Sequence, residues 1–121
     1  LDNKEFSTSY GEQLRDFCYI DDVVEGIFLA MNNVAAQGEI INIASGKPLE
    51  IKTAINYVVN KIGRGTPMYG EFSYRSGENM ELYADIGKAR KLLGWRPKTT
   101  FEEGMISTIN YYRSINEKSM A

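Results

Sequence analysis

The sequence predicts an α/β chain of about four helices joined by short strands, and three observations carry that expectation. Apolar residues recur at helical spacing in separate segments, such as Val23, Val24, Ile27, Phe28 and Met31, and again Ile51, Ile55, Val58, Val59 and Ile62. Between them lies a β-branched run, Glu39 to Ala44, too short and apolar for a surface helix. Glycine and proline punctuate the rest, at Gly46, Pro48, Gly63, Gly65, Pro67, Gly70, Gly77, Gly94 and Pro97.

The elements follow in order. Leu1 to Phe6 read as a loop feeding a strand, and Leu14 to Tyr19 as an alternating strand that sends Arg15, Phe17 and Tyr19 to one side and Leu14, Asp16 and Cys18 to the other. Asp21 or Asp22 can cap a helix over about 22–33, whose core face is the first apolar series above. Glu39 to Ala44 is expected to be a buried strand, after which a second helix runs to Gly63. Two short strands are expected around Met68 to Ser73 and Leu82 to Tyr83, inside a loop-rich middle from Arg64 to Glu81. A third helix opens at Asp85 and stops at Gly94. A fourth opens at Thr100, where Thr100 and Glu103 form a capping box, with Ile106, Ile109 and Tyr112 on its core face. Asn116 to Ala121 should fray. Only one strand reads as fully buried, which is thin for a self-sufficient parallel sheet.

Composition narrows the functions. The 121 residues fit one domain, and a net charge of −2 supplies no broad basic field for nucleic acid or an acidic membrane. No apolar run has the length of a membrane span. With one cysteine, Cys18, and no histidine, there is neither a disulfide framework nor a zinc site, and a reducing cytoplasm is the expected location. The same absences leave carboxylates, Tyr or Lys as the groups available for catalysis.

Two dinucleotide-enzyme signals fail. Gly63-Arg64-Gly65 follows a helix rather than a strand, and no third glycine opens a helix after it. Tyr57 and Lys61 have Tyr-x-x-x-Lys spacing, but both fall away from the apolar face of their helix, which should leave the tyrosine solvated. Arg15, set among aromatics on a strand, suits an anionic ligand because a planar guanidinium matches phosphate oxygens two at a time. From the residues alone, an ordinary salt bridge on a solvated strand is the commoner explanation. Arg75, between Tyr74 and a Ser-Gly pair, could likewise approach a phosphate, with Glu78 accepting from a sugar hydroxyl, or could be a solvated loop cation.

Four segments together carry a resemblance: Arg15-Asp16-Phe17 to Gly26, Ile40 to Ala44, Arg75 to Glu78, and Lys88 to Pro97 with its Leu-Leu-Gly-Trp-Arg-Pro end. In that order they resemble the C-terminal portion of extended short-chain dehydrogenases/reductases acting on nucleotide sugars, the NAD-dependent epimerase/dehydratase family. The resemblance implies that residues 1–121 are the C-terminal nucleotide-sugar-binding domain of a larger enzyme. Arg15 and Arg75 would contact the phosphates or ribose of a nucleoside diphosphate sugar, Glu78 the ribose, and Phe17 would lie beside the nucleotide.

It also implies that NAD or NADP binds to an N-terminal Rossmann domain lying outside this chain. No catalytic, cofactor-binding or metal-binding residue is then expected here, and no cofactor is expected to bind these residues. The chain alone should be inactive. Excision should expose the Ile40 to Ala44 edge, so self-association, as a homodimer or by strand exchange, is expected. A stand-alone nucleotide-binding or interaction module is the rival reading.

Overall fold

The computed structural model describes residues 4–119. It contains five short strands and four helices: β1 Glu5–Thr8, β2 Leu14–Asp16, α1 Ile20–Met31, β3 Pro48–Glu50, α2 Ile51–Ile62, β4 Thr66–Tyr69, β5 Glu81–Leu82, α3 Gly87–Leu93 and α4 Phe101–Ser119, with a 3₁₀ turn at Val34–Ala36. The α/β class with four helices and short strands is therefore as expected. The strands form two small sheets. β1 pairs β4 in parallel, and β2 lies between β3, which is antiparallel to it, and β5, which is parallel.

Local chemistry sets most helix ends. Gly63 ends α2 and Gly94 ends α3, both left-handed at φ 73° and 62°, a conformation that costs glycine nothing. Asp85 accepts the Gly87 amide at 2.7 Å and so starts α3. At α4 the capping box forms: the Glu103 amide donates to Thr100 Oγ1 at 3.2 Å, and the Thr100 amide donates to Glu103 Oε2 at 2.9 Å. Backbone helix continues to Ser119 rather than fraying from Asn116, and the last two residues of that expectation lie outside the described ones.

The core is assembled around Trp95, with Ile86, Ala89 and Leu93 of the α3 segment and half-buried Ile41, Ile43 and Ala44 against it. α1 meets this cluster along a small-residue edge. Asp22 and Gly26 are its buried residues, and a Cβ on Gly26 would stand 2.9 Å from Ile43 Cδ1 and 3.2 Å from Trp95 Nε1. Only a bare backbone lets the helix approach that closely.

Several expectations are corrected. The strand beginning at Leu14 ends at Asp16, because its neighbours β3 and β5 pair with no later residue. α1 starts at Ile20 with Tyr19 as its N-cap and no side-chain cap, so Asp21 and Asp22 lie in the first turn instead of before it. Glu5–Thr8 is a strand and not a loop, since β4 offers it a parallel partner.

Residues 39–44 form no strand. The alternation is strand-like, with Ile41 and Ile43 tucked in and Ile40 87% exposed, but no neighbouring strand is present among the described residues to complete a ladder. Burial is also redistributed. The series intended as the core face of α1 instead faces outward, with Val24, Ile27, Phe28 and Met31 all exposed, and on α4 Ile109 is buried while Ile106 and Tyr112 are exposed.

Tyr57 is half-buried and not solvated. Its ring meets Phe101 edge-on at 5.4 Å, Lys61 Nζ lies 5.4 Å from its centroid, and its hydroxyl donates to the Glu102 carbonyl at 3.4 Å. The face judged to be solvent-facing is the one α4 covers.

Candidate functional site

The candidate site grows from β2, the middle strand of its sheet, where Arg15 stands opposite Leu49 of β3 and Leu82 of β5. Its guanidinium Nη2 donates to Glu78 Oε1 at 2.6 Å and Nη1 donates to the Leu14 carbonyl at 2.9 Å. Both partners of the ion pair are about a quarter exposed, at 24% and 22%, so the pair is shielded yet reachable. Glu78 is held in place by a turn in which its amide donates to the Arg75 carbonyl at 2.9 Å, with Gly77 supplying the positive φ of 76°. Arg75 and Glu78 are thus the two ends of one tight turn, and the Arg75 side chain is exposed.

Neighbouring contacts pin this turn. Tyr74 donates its hydroxyl to Glu12 Oε2 at 3.0 Å and accepts the Glu12 amide at 3.2 Å, tying the 70–78 loop to the segment that enters β2. On that segment Gly11 has φ 76°, and a Cβ there would meet the Lys52 amide nitrogen at 2.9 Å, so the turn into β2 requires glycine.

The structure pairs Arg15 with Glu78 and sets Arg75 at the other end of the turn that presents Glu78. Phe17 does not join them. Beyond the end of β2 its ring packs edge-on against Phe101 at 5.4 Å, at the margin of an apolar groove of about 650 Å³ whose walls include Phe6, Ile55, Val58, Ile62 and Met105. The single surface expected for Arg15 and Phe17 is broken because the chain leaves the strand between them.

The sequence reading assigned no role to Asp16, which organises the region. Its carboxylate accepts three backbone amides, from Ser45 at 2.7 Å, Gly46 at 2.9 Å and Ala84 at 3.3 Å, and so fastens two loops to β2. A carboxylate in a central strand must be satisfied by donors, and that requirement was the available signal. Asp22 acts similarly. It is 3% exposed and accepts the Thr99 amide at 2.9 Å.

Other chemistry is limited. Burial, followed by the nearby charges of Asp22 and Asp16, pushes the Cys18 thiol up from its ordinary value, a shift that disfavours the thiolate. No group of three or more potential metal ligands occurs among the described residues, and no helix there is long and apolar enough to cross a membrane. Gly63 and Gly65 connect the end of α2 to β4, so their amides are not the opening of a helix after a strand.

Comparison with known proteins fits this geometry. Residues 2–108 match the family model described as GDP-mannose 4,6 dehydratase. The chain is 35% identical over 107 residues to a putative UDP-glucose 4-epimerase of Methanocaldococcus jannaschii, covering 88% of this chain and 33% of that relative. It is also 35% identical over 102 residues to the UDP-glucuronate 4-epimerase of Thermodesulfobacterium geofontis, covering 84% and 31%.

Among solved structures, the UDP-glucose 4-epimerase of Thermotoga maritima with UDP-glucose superposes with a TM-score of 0.83 at 31% identity, covering 93% of this chain and 36% of that one. The UDP-glucuronic acid 4-epimerase of Bacillus cereus, in complex with UDP-glucuronic acid and NAD, gives 0.81 at 28% identity, covering 93% and 36%. The chain spans about a third of the length of these relatives. With the family model matched over most of its residues, this chain belongs to the GDP-mannose 4,6 dehydratase family and corresponds to the C-terminal part of nucleotide-sugar epimerases and dehydratases.

Proposed function

We propose that this chain is the part of an NAD(P)-linked nucleotide-sugar epimerase, dehydratase or reductase that grips the nucleoside diphosphate, working in the cytoplasm. The observation that carries the reading is the Arg15–Glu78 pair on the sheet, with Arg75 at the other end of the turn that presents Glu78. Arg15 and Arg75 would take the diphosphate oxygens, since guanidinium groups match them in geometry and charge. Glu78 would accept from a ribose hydroxyl while keeping Arg15 oriented. Phe17, although turned toward Phe101, stands two residues from Arg15 and would close the apolar side of the nucleotide pocket.

The remainder of such an enzyme, a Rossmann domain carrying NAD or NADP and the reacting groups, would form the opposite wall of the cleft. Two features support this. The outward apolar stripe of α1 (Val24, Ile27, Phe28 and Met31) and the unladdered 39–44 segment are surfaces that further polypeptide would cover. Without it, the same surfaces favour self-association, and the isolated 121 residues turn over no sugar nucleotide.

Calorimetric titration of the full-length protein with UDP tests the assignment. Arg15→Ala and Arg75→Ala should each weaken binding by about tenfold or more, the scale of a lost charge-assisted hydrogen bond. Unchanged affinity in both variants would overturn it.

A further inference from the structure

A second cleft lies between the 45–47 loop with the start of β3, α3 and the entry to α4, with a volume of about 510 Å³. Four cationic side chains line it, Lys47, Arg90, Arg96 and Lys98, against one carboxylate, Glu102. Lys98 is paired with Glu25. The charged ends of Lys47, Arg90 and Arg96 have no carboxylate partner among the described residues. In a chain whose net charge is −2, this concentration of positive charge in one concavity runs against the overall balance.

We propose that this cleft binds an oligophosphate anion, with Lys47, Arg90 and Arg96 as its principal contacts. Like charges gathered on a concave wall repel one another, and the low-dielectric flank of Phe17, Phe101, Pro48 and Pro97 strengthens that repulsion until an anion offsets it. Two of the cations are arginines, whose forked donors suit adjacent phosphate oxygens, and Lys47 adds a mobile point charge from the facing loop. The proposal rests on the side-chain cations and not on the N-terminus of α4, where the Thr100 and Glu103 amides are already engaged in the capping box. Lys91, on the same helix as Arg90, is basic and stands outside the lining, so the C-terminal end of α3 alone does not explain which cations converge. Neither Arg15, Arg75 nor Glu78 lines this cleft; Phe17 is the one residue it shares with the nucleotide-sugar assignment, and none of the cations named here belongs to that assignment.

Inorganic pyrophosphate is the probe, titrated into the 121-residue chain by calorimetry and followed by the side-chain N–H resonances of Arg90 and Arg96. Saturable binding that weakens as NaCl is raised is expected, with those resonances shifting together. Arg90→Gln with Arg96→Gln should weaken binding at least about tenfold, and Lys47→Gln, in a loop and harmless to helix packing, by severalfold. Lys91→Gln should leave it unchanged. Failure to saturate, binding that leaves the Arg90 and Arg96 resonances unmoved, or a loss in Lys91→Gln equal to that in the cleft variants would overturn the proposal.

Discussion

Trp95 donates its indole N–H to the backbone carbonyl of Asp22 at 3.0 Å, joining the residue just past α3 to the first turn of α1. The indole is 1% exposed and sits at the centre of the core cluster. Trp95→Phe removes the indole donor to the Asp22 carbonyl and opens a void in the core. The expected cost is about 2–4 kcal/mol, read as a lowered urea midpoint with unchanged far-ultraviolet circular dichroism in the native baseline.

The Arg15–Glu78 pair is shielded but not buried, so most of its value should lie in ligand orientation. A double-mutant cycle of Arg15→Ala and Glu78→Ala on thermal stability should return a coupling of no more than about 1 kcal/mol at physiological salt. Coupling of several kcal/mol would identify the pair as a structural bolt. In the full-length protein, Glu78→Gln should weaken UDP binding less than Arg15→Ala does, because it keeps an acceptor.

Glu103 gives the fold an acid-sensitive point. The Thr100 backbone amide, followed by the Thr100 hydroxyl, holds its carboxyl below the ordinary carboxylate value. With the folded pKa depressed, the stabilisation is present above the unfolded value of about 4.3 and is lost as pH falls through the folded one. Helical signal from α4 should therefore decline on acidification below about pH 4. Glu103→Gln should flatten that part of the profile.

The outward stripe of α1 predicts concentration-dependent association of the 121-residue chain. Phe28 is 60% exposed and Met31 75% exposed, so Phe28→Lys with Met31→Glu removes apolar surface without emptying the core. Light scattering should show the wild-type chain growing in mass with concentration and the double variant remaining smaller. Equal masses at every concentration would count against the stripe.

Helices that carry their own punctuation were legible in the sequence: α2 with Gly63, α3 with Asp85 and Gly94, and α4 with its capping box match closely because their boundaries are set by local hydrogen bonds. What failed depended on partners distant in sequence. Glu5–Thr8 becomes a strand only because β4 lies some sixty residues on, and the 39–44 run stays unladdered because no strand among the described residues meets it. Periodicity identified α1 as amphipathic but could not say which surface its apolar side meets. At the site, Arg15 pairs with Glu78, whose turn begins at Arg75, whereas the placing of Phe17 on the Arg15 side assumed that the strand continued past Asp16.

The alternation in β2 gives its register an unusual consequence. Arg15 reaches Glu78 from a strand of three residues, while the next residue, Asp16, turns to the backbone amides on the opposite side. A slip of one position would exchange the two, facing a carboxylate toward Glu78 and a guanidinium toward amide donors, with both contacts becoming repulsive at once. The charge pattern therefore works as a parity check on the strand, rejecting the misaligned pairing that so short a ladder could not exclude by hydrogen bonds alone.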